Sequence, residues 1–226
     1  VTNKLNLFTD LQYRMVFYDA TSVKFDDVND TFRFFNPKVG LNYQLNTKNS
    51  FYGYFGIANK EPRRDDYESG AIKPERLFDY ELGWKYNTQK VRLSANAFYM
   101  RYNDQLVLTG DLNDVGAPIF TNSGKSYRLG LEVESTIALT DKLILNPNFT
   151  LSQNKNEDFY YEINGVVQNL GKTNIAYSPN FIFGNRFSYL PVKGLQLSLL
   201  SKFVGEQYMG NIDSEKSKLD SYSIND

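Results

Sequence analysis

Lys60, Glu61, Arg63, Arg64, Asp65, Asp66 and Tyr67 crowd charges of both signs and a phenol into one short stretch. Two neighbouring guanidinium groups make a forked donor surface that suits a carboxylate-rich or otherwise anionic ligand. The plainer reading is a solvated loop whose charges pair with one another or with charged surface lipid. A second cluster, Phe159, Tyr160, Tyr161, Asn164 and Asn169, puts flat aromatic faces beside amides. Such a set stacks on a sugar or an aromatic chelator, or it packs the loop that carries it.

Other constellations lose their force on inspection. Glu132 and Glu134, two positions apart on a strand, share a face, but no acid/base partner accompanies them, so they read as charge lining a wet surface. Asp111-Leu-Asn-Asp-Val-Gly116 begins like a calcium loop, yet Val115 occupies a ligand position and Asn122 stands where a bidentate Glu is needed. Asp26, Asp27 and Asp30 read as loop solvation before a divalent-ion site. Asn29-Asp-Thr31 and Asn148-Phe-Thr150 match glycosylation sequons, the second inside an expected strand. The chain has no His and no Cys. That removes the Ser-His-Asp and Cys-His nucleophiles, His-based zinc and haem ligation by a visible histidine. No metal, cofactor or enzymatic activity is expected. A net charge of -1 gives no basic footprint for nucleic acid.

Strands must position these residues, because alternation of apolar and polar side chains runs through the chain. Leu5, Leu7, Leu11, Tyr13 and Met15 oppose Asn6, Asp10, Gln12 and Arg14; Val39, Leu41, Tyr43 and Leu45 oppose Lys38, Gly40, Asn42 and Gln44. A third segment, 51–58, is aromatic on both faces and gives no orientation. Phe78, Tyr80, Leu82, Trp84 and Tyr86 oppose Asp79, Glu81, Gly83 and Lys85, the cleanest stretch. Five further segments follow suit to Phe203, with Pro147 marking a bulge or a missing hydrogen bond in the seventh.

The connections alternate in length. Tight turns near 46–49, 87–89, 140–142 and 191–194 separate long loops at about 18–33, 59–76, 103–126, 153–178 and 205–221. Short turns on one side and long loops on the other are the habit of an outer-membrane barrel. Aromatics gather at both strand ends, with Tyr43, Trp84, Tyr86 and Tyr189 beside the turns and Phe17, Phe34, Phe78, Tyr99, Phe181 and Phe203 nearer the loops, as interface girdles require. No apolar run approaches the ~18 residues of a spanning helix, so a spanning chain must use strands. A soluble sandwich or lipocalin-like barrel is the competing architecture. The expected fold is all-β: an antiparallel up-and-down transmembrane β-barrel in a bacterial outer membrane, loops outside and turns in the periplasm.

Particular words add a second kind of signal. Tyr52-Gly-Tyr-Phe-Gly-Ile-Ala-Asn-Lys-Glu-Pro-Arg-Arg-Asp-Asp-Tyr67, followed by Lys73-Pro-Glu-Arg-Leu-Phe-Asp-Tyr-Glu-Leu-Gly-Trp84, resembles the C-terminal half of a TonB-dependent outer-membrane receptor. Asn36-Pro-Lys-Val-Gly-Leu-Asn-Tyr43, Ala97-Phe-Tyr-Met-Arg-Tyr-Asn-Asp-Gln-Leu106 and Thr121-Asn-Ser-Gly-Lys-Ser-Tyr-Arg-Leu-Gly-Leu-Glu132 are similar to neighbouring strands of that family, in order. The resemblance implies a barrel of 22 strands around an N-terminal plug, with substrate admitted when energy coupled through TonB displaces the plug.

Set beside that plan, residues 1–226 supply nine full strands, a tenth beginning at Ser221-Tyr-Ser-Ile-Asn-Asp226, and neither a plug nor a TonB-contacting box. They are expected to be an incomplete barrel segment, insoluble alone because of its open edges and apolar outer face. The implied activity is capture of a scarce nutrient by the long loops, a ferric siderophore ahead of cobalamin or oligosaccharide. Arg63, Arg64, Asp65, Asp66, Tyr67, Tyr160 and Tyr161 are the candidate contacts. The implied partners are the TonB complex through the plug, outer-membrane lipid and lipopolysaccharide, and a surface lipoprotein. A passive porin-like or adhesin-like barrel stays open as the alternative.

Overall fold

A computed structural model describes residues 4–21, 27–68, 70, 72–112, 116, 118–163 and 166–226. Along the chain come β1 (Leu5–Ala20), β2 (Val28–Gln44), β3 (Asn49–Lys60), a helical turn α1 (Arg64–Glu68), β4 (Glu75–Asn87) and β5 (Val91–Asn103). Then follow β6 (Leu106–Leu112), β7 (Pro118–Asn122), β8 (Lys125–Ala138), β9 (Leu143–Asn156), β10 (Tyr160–Ile163), β11 (Val166–Asn169) and β12 (Thr173–Asn174). β13 (Phe181–Tyr189), β14 (Leu197–Val204), β15 (Gln207–Tyr208), β16 (Lys218–Leu219) and β17 (Tyr222–Asn225) complete it. One antiparallel sheet runs in the order β1-β2-β3-β4-β5-β8-β9-β13-β14-β17, with β12 added against the end of β9. The segment that begins at Ser221 does pair, as β17 against β14.

Each short turn has a local cause. Asn46 Oδ1 accepts the backbone N–H groups of Lys48 and Asn49, both at 2.9 Å. Thr140 Oγ1 does the same for Lys142 and Leu143, both at 3.1 Å, and Thr88 Oγ1 accepts from Val91 at 3.0 Å. These side chains imitate a backbone turn and close the hairpin without added length. The fourth turn bends at Gly194, whose φ of 87° a side chain would strain. It spans 190–196, so Leu195 falls outside the strand expected to hold it.

Register settles the third segment, which alternation had left without a direction. Phe51, Gly53, Phe55 and Ile57 stand opposite Trp84, Leu82, Tyr80 and Phe78, while Tyr52, Tyr54 and Gly56 stand opposite Gly83, Glu81 and Asp79. Tyr52 and Tyr54 therefore lie on the polar face. Phe34 is a correction: it is the register partner of Arg14, lies 5.0 Å beneath that guanidinium and is buried, so it belongs to the polar face, not to a lipid-side girdle. Phe35, exposed opposite Tyr13, holds the outward position. At Pro147 the β8–β9 ladder passes from Glu134↔Asn148 to Ile137↔Leu145 without a change of register. Proline has lost its rungs there and no bulge forms.

The apolar face is bare. Phe17 is 75% exposed, Leu11 73% and Leu82 70%, and no second layer among the described residues covers them. A soluble sheet would bury that face against a partner layer. Among the described residues the buried apolar side chains, Phe34, Tyr67, Leu106, Val107, Tyr127, Phe159, Ile175 and Val204, all sit at the long-loop end. The packed core is thus a roof of loops at one end of the sheet.

Candidate functional site

The charged cluster folds as the single turn α1. Asp66, fully buried, accepts the Arg63 backbone N–H at 2.8 Å with Oδ2, which also lies 3.5 Å from Arg63 Nε. This is half of a capping box, in which an acid three places into a helix satisfies the cap's own N–H. Tyr67 is buried too. Its ring stacks on Tyr18 with centroids 5.0 Å apart, and its hydroxyl donates to Asp30 Oδ2 at 2.5 Å. Burial first, then the hydrogen bond to Asp30 and that carboxylate's charge, raise the Tyr67 hydroxyl above its ordinary range. Arg63 lies 5.4 Å over the Phe120 ring of β7, and Arg64 Nε meets Glu68 Oε1 at 3.3 Å. Arg63, Arg64 and Asp65 are exposed. The sequence cluster thus divides into two buried positioning groups and a solvent-facing fork.

Beside α1, Arg14 of β1 reaches across to Glu61 through Nη1 at 3.0 Å and Nη2 at 2.5 Å, and donates to the Asn59 carbonyl at 3.1 Å. Burial works to raise the Glu61 pKa, but backbone hydrogen bonding and Arg14 outweigh it and hold the carboxyl below its ordinary value. In the sequence Arg14 stands only as one polar-face residue of the first strand. Its bidentate partner was out of reach of sequence reasoning because it comes from a loop two strands away.

The long loops carry structure of their own: β6 pairs with β7, β10 with β11, and β15 with β16. Two asparagines with no sequence signal tie three of these loops together. Asn156, at the end of β9, donates to Asn211 Oδ1 at 3.2 Å, and both side chains are fully buried. Asn211 in turn donates to the Leu108 carbonyl of β6 at 2.6 Å and accepts the Ala176 N–H at 2.9 Å. On the other side, Asn122 of β7 donates to the Lys73 carbonyl at 3.0 Å, beside α1. Tyr160 is 54% exposed, whereas Phe159 is fully buried and stacks on Tyr161 at 6.4 Å. The two candidate sets stand on different parts of one connected roof. Asn164, Asp26 and residues 113–115 of the calcium-like stretch lie outside the described residues.

Below the roof the polar face forms an inner wall. Lys38 and Asp10 pair at 3.1 Å, Asn96 donates to Glu81 at 3.3 Å, and Lys85 lies 5.5 Å over the Tyr52 ring. Tyr52, Ser94, Asn96, Glu132, Glu134, Asn148 and Thr150 line a hollow of about 370 Å³ there. Aromatic rings on this wall lie flat over glycines of the next strand. A Cβ at Gly83 would come within 1.8 Å of Tyr52, and one at Gly130 within 2.6 Å of both the Phe98 ring and the Leu151 carbonyl. Glycine is required at both points by close approach.

A meander with a bare apolar face, a wet charged face, short turns at one end and a knitted roof at the other is a membrane β-barrel wall. The TonB-dependent receptor-like β-barrel model matches residues 4–226, and the chain belongs to that family. It is a family of transport receptors found in the outer membrane, not of enzymes. Among solved structures, the siderophore receptor PiuA from Acinetobacter baumannii is similar at a TM-score of 0.76 and 16% identity, over 99% of this chain and 34% of that one. The ferric enterobactin receptor PfeA from Pseudomonas aeruginosa gives 0.70 and 17%, over 100% and 34%. The FrpB iron transporter from Neisseria meningitidis gives 0.70 and 17%, over 100% and 36%. The chain spans about a third of the length of these structures, and at such identities the likeness is one of fold. No curated protein sequence matches. Among the described residues no helix is long and apolar enough to cross a membrane.

Proposed function

We propose that residues 1–226 are a wall-and-roof segment of an outer-membrane active transporter that captures a scarce nutrient outside the cell and admits it with energy from the TonB complex. The plug through which that energy acts is supplied from outside this segment. The reading rests above all on one observation: an exposed arginine fork, Arg63 and Arg64, held by two buried residues on a roof that elsewhere exposes Tyr160. A ferric siderophore is the cargo that best suits it, because it offers anionic or carbonyl oxygens to guanidinium groups and flat rings to tyrosines. Arg63, Arg64, Asp65, Tyr160 and Tyr161 contact the cargo; Asp66 and Tyr67 hold the fork in place. The structures named above, a siderophore receptor, a ferric enterobactin receptor and an iron transporter, support this class of cargo without defining it. The connected roof also weighs against a passive open pore.

The test is uptake of radiolabelled ferric tricatecholate and ferric hydroxamate by a deletion strain carrying the whole receptor, with and without TonB. Uptake that requires TonB and falls on Arg63→Ala/Arg64→Ala is expected. Accumulation that persists undiminished without TonB would make the barrel a passive channel.

A further inference from the structure

The lipid-facing side is not apolar throughout. Asn185 sits in β13 midway between Phe181 at the loop end and Tyr189 at the turn end, on the same face as Phe183 and Phe187. Its register partners are Pro147 in β9 and Ser201 in β14, and Ser201 is in turn the partner of Asn225 in β17. On β8, Ser135 falls opposite Pro147, its Oγ 3.5 Å from the Pro147 carbonyl. Ser135, Pro147, Asn185, Ser201 and Asn225 thus form an uncharged row across five adjacent strands, about 19 Å from end to end at ordinary strand spacing. Leu151, Phe183 and Leu199, all exposed, flank it.

Within this row Asn185 is the incomplete member. Its Oδ1 is closed off from solvent with no hydrogen-bond partner among the described residues. On the inward face of the same strands the polar groups are paired: Asn146 donates to Thr136 Oγ1 at 2.9 Å and accepts from Arg186 Nη2 at 3.4 Å, and Ser188 meets Ser198 at 3.2 Å. Inward groups also have water within reach, whereas Asn185, halfway between the aromatic ends of its strand, has hydrocarbon. An amide left there without a partner is costly, and a closed ladder of strands has no need of one. Turning about its terminal torsion is cheap, so the amide can aim either atom away from the wall.

We infer that Asn185 marks the contact through which two copies of the receptor pair side by side in the membrane. The row carries no charge, so it offers nothing to an ionic partner or a headgroup. A primary amide is donor and acceptor at once, and the group that complements one Asn185 is a second Asn185. A two-fold axis along the membrane normal beside β13 brings the two together with reciprocal hydrogen bonds. The side chains of Ser135, Pro147 and Ser201 are shorter than the leucines and phenylalanines on either side, which lets two walls approach closely, as small residues do at contacts within a membrane. The inference rests on the membrane placement of the bare face and is independent of the cargo.

The whole receptor is co-expressed in two differently tagged forms, extracted in mild detergent, and followed by sedimentation equilibrium in density-matched micelles. Co-purification of one tagged copy with the other, and a monomer–dimer equilibrium, are expected for the wild type. Asn185→Leu should raise the dissociation constant on the order of tenfold, two reciprocal bonds at a few-fold each. Asn185→Gln, which keeps the amide, should retain the dimer, and Leu82→Ala, outward on β4 away from the row, should leave it unchanged. Heat-modifiable gel mobility reports whether each barrel is folded; if Asn185→Leu is not, Asn185→Ala carries the same comparison. A monomeric wild type overturns the inference, as does a dimer that Asn185→Leu leaves intact or that Leu82→Ala weakens equally. A different outer-membrane protein held by the wild type and lost from Asn185→Leu overturns the second copy in favour of a heterologous partner. TonB-dependent uptake, measured on the same variants, separates a failure here from a failure of the transport reading.

Discussion

Asn211 Oδ1 accepts a hydrogen bond from Asn156 Nδ2 at 3.2 Å, and both side chains are closed off from solvent. The pair joins the end of β9 to the loop between β14 and β17, and through the Leu108 carbonyl to the β6–β7 hairpin. Asn211→Ala removes the donor to Leu108 and the acceptor for Asn156 and Ala176 together. Leaving such groups buried without partners costs roughly 1–3 kcal/mol each. Hydrogen exchange at 106–112, 173–176 and 207–213 should rise while the strand centres stay protected. Unchanged exchange in those loops would show that the tie is dispensable.

Tyr67→Phe keeps the stacking on Tyr18 and deletes the hydroxyl that bonds Asp30. The expected loss is about 1–3 kcal/mol of local stability, since Asp30 Oδ2 loses its donor. The same bond has a pH signature. The Tyr67 pKa is raised in the fold, so its contribution is complete below the unfolded value of 10.0 and is lost only as pH climbs through the higher folded value. Ultraviolet titration should therefore show fewer tyrosines ionising near pH 10 in the wild type than after unfolding, a deficit that Tyr67→Phe reduces by one.

Glu61 carries the opposite sign. Its pKa is lowered from 4.5, so the Arg14 tie is complete above that value and weakens as pH falls through the folded one. Glu61→Gln should remove this acid sensitivity and loosen the loop at neutral pH. Limited proteolysis at 61–74, compared between pH 7 and pH 4, reads both effects; identical acid profiles for variant and wild type would assign the sensitivity elsewhere.

The two crowded glycines separate by what they touch. A Cβ at Gly83 meets the Tyr52 ring, which can be removed, whereas one at Gly130 meets the Leu151 backbone carbonyl as well as Phe98. Gly83→Ala should lower the yield of folded barrel, and adding Tyr52→Ala should restore it. Gly130→Ala should not be rescued by Phe98→Ala. The double-mutant cycle, scored as heat-modifiable protein, distinguishes a ring clash from a backbone clash.

Most of the sheet was legible because a barrel wall writes its two faces into the chain. Alternation in β4 and β8 named the outward and inward residues, and Asn46, Thr88 and Thr140 marked their turns. Phe34 defeats this reading because hydrophobicity without parity misplaces it: two places from Asn36 and Phe32, it faces inward and lies beneath the Arg14 guanidinium. In β3, aromatic residues stand on both faces, and only pairing with Gly83 and Asp79 gives a direction. The site was legible in part. Arg63 and Arg64 are exposed as the charge pattern implied, but the burial of Asp66 and Tyr67 depends on Asp30 and Tyr18, which lie far off in sequence. Asn156 and Asn211 carried no signal at all, since neutral amides are ordinary loop residues until burial makes them structural.

Pro147 leaves a slit in the sheet. Between Glu134↔Asn148 and Ile137↔Leu145 the rungs joining β8 to β9 are replaced by side-chain bonds, notably Asn146 Nδ2 to Thr136 Oγ1 at 2.9 Å, whereas β9 and β13 pair without a gap from Phe181↔Leu151 to Tyr189↔Leu143. Over 143–151, β9 is therefore laddered without interruption to the strand that follows it, while its bonding to the one before lapses at 146–147. Under a sideways pull on the wall, the long β8–β9 seam would open first beside Pro147, as a slit held at both ends by intact ladder.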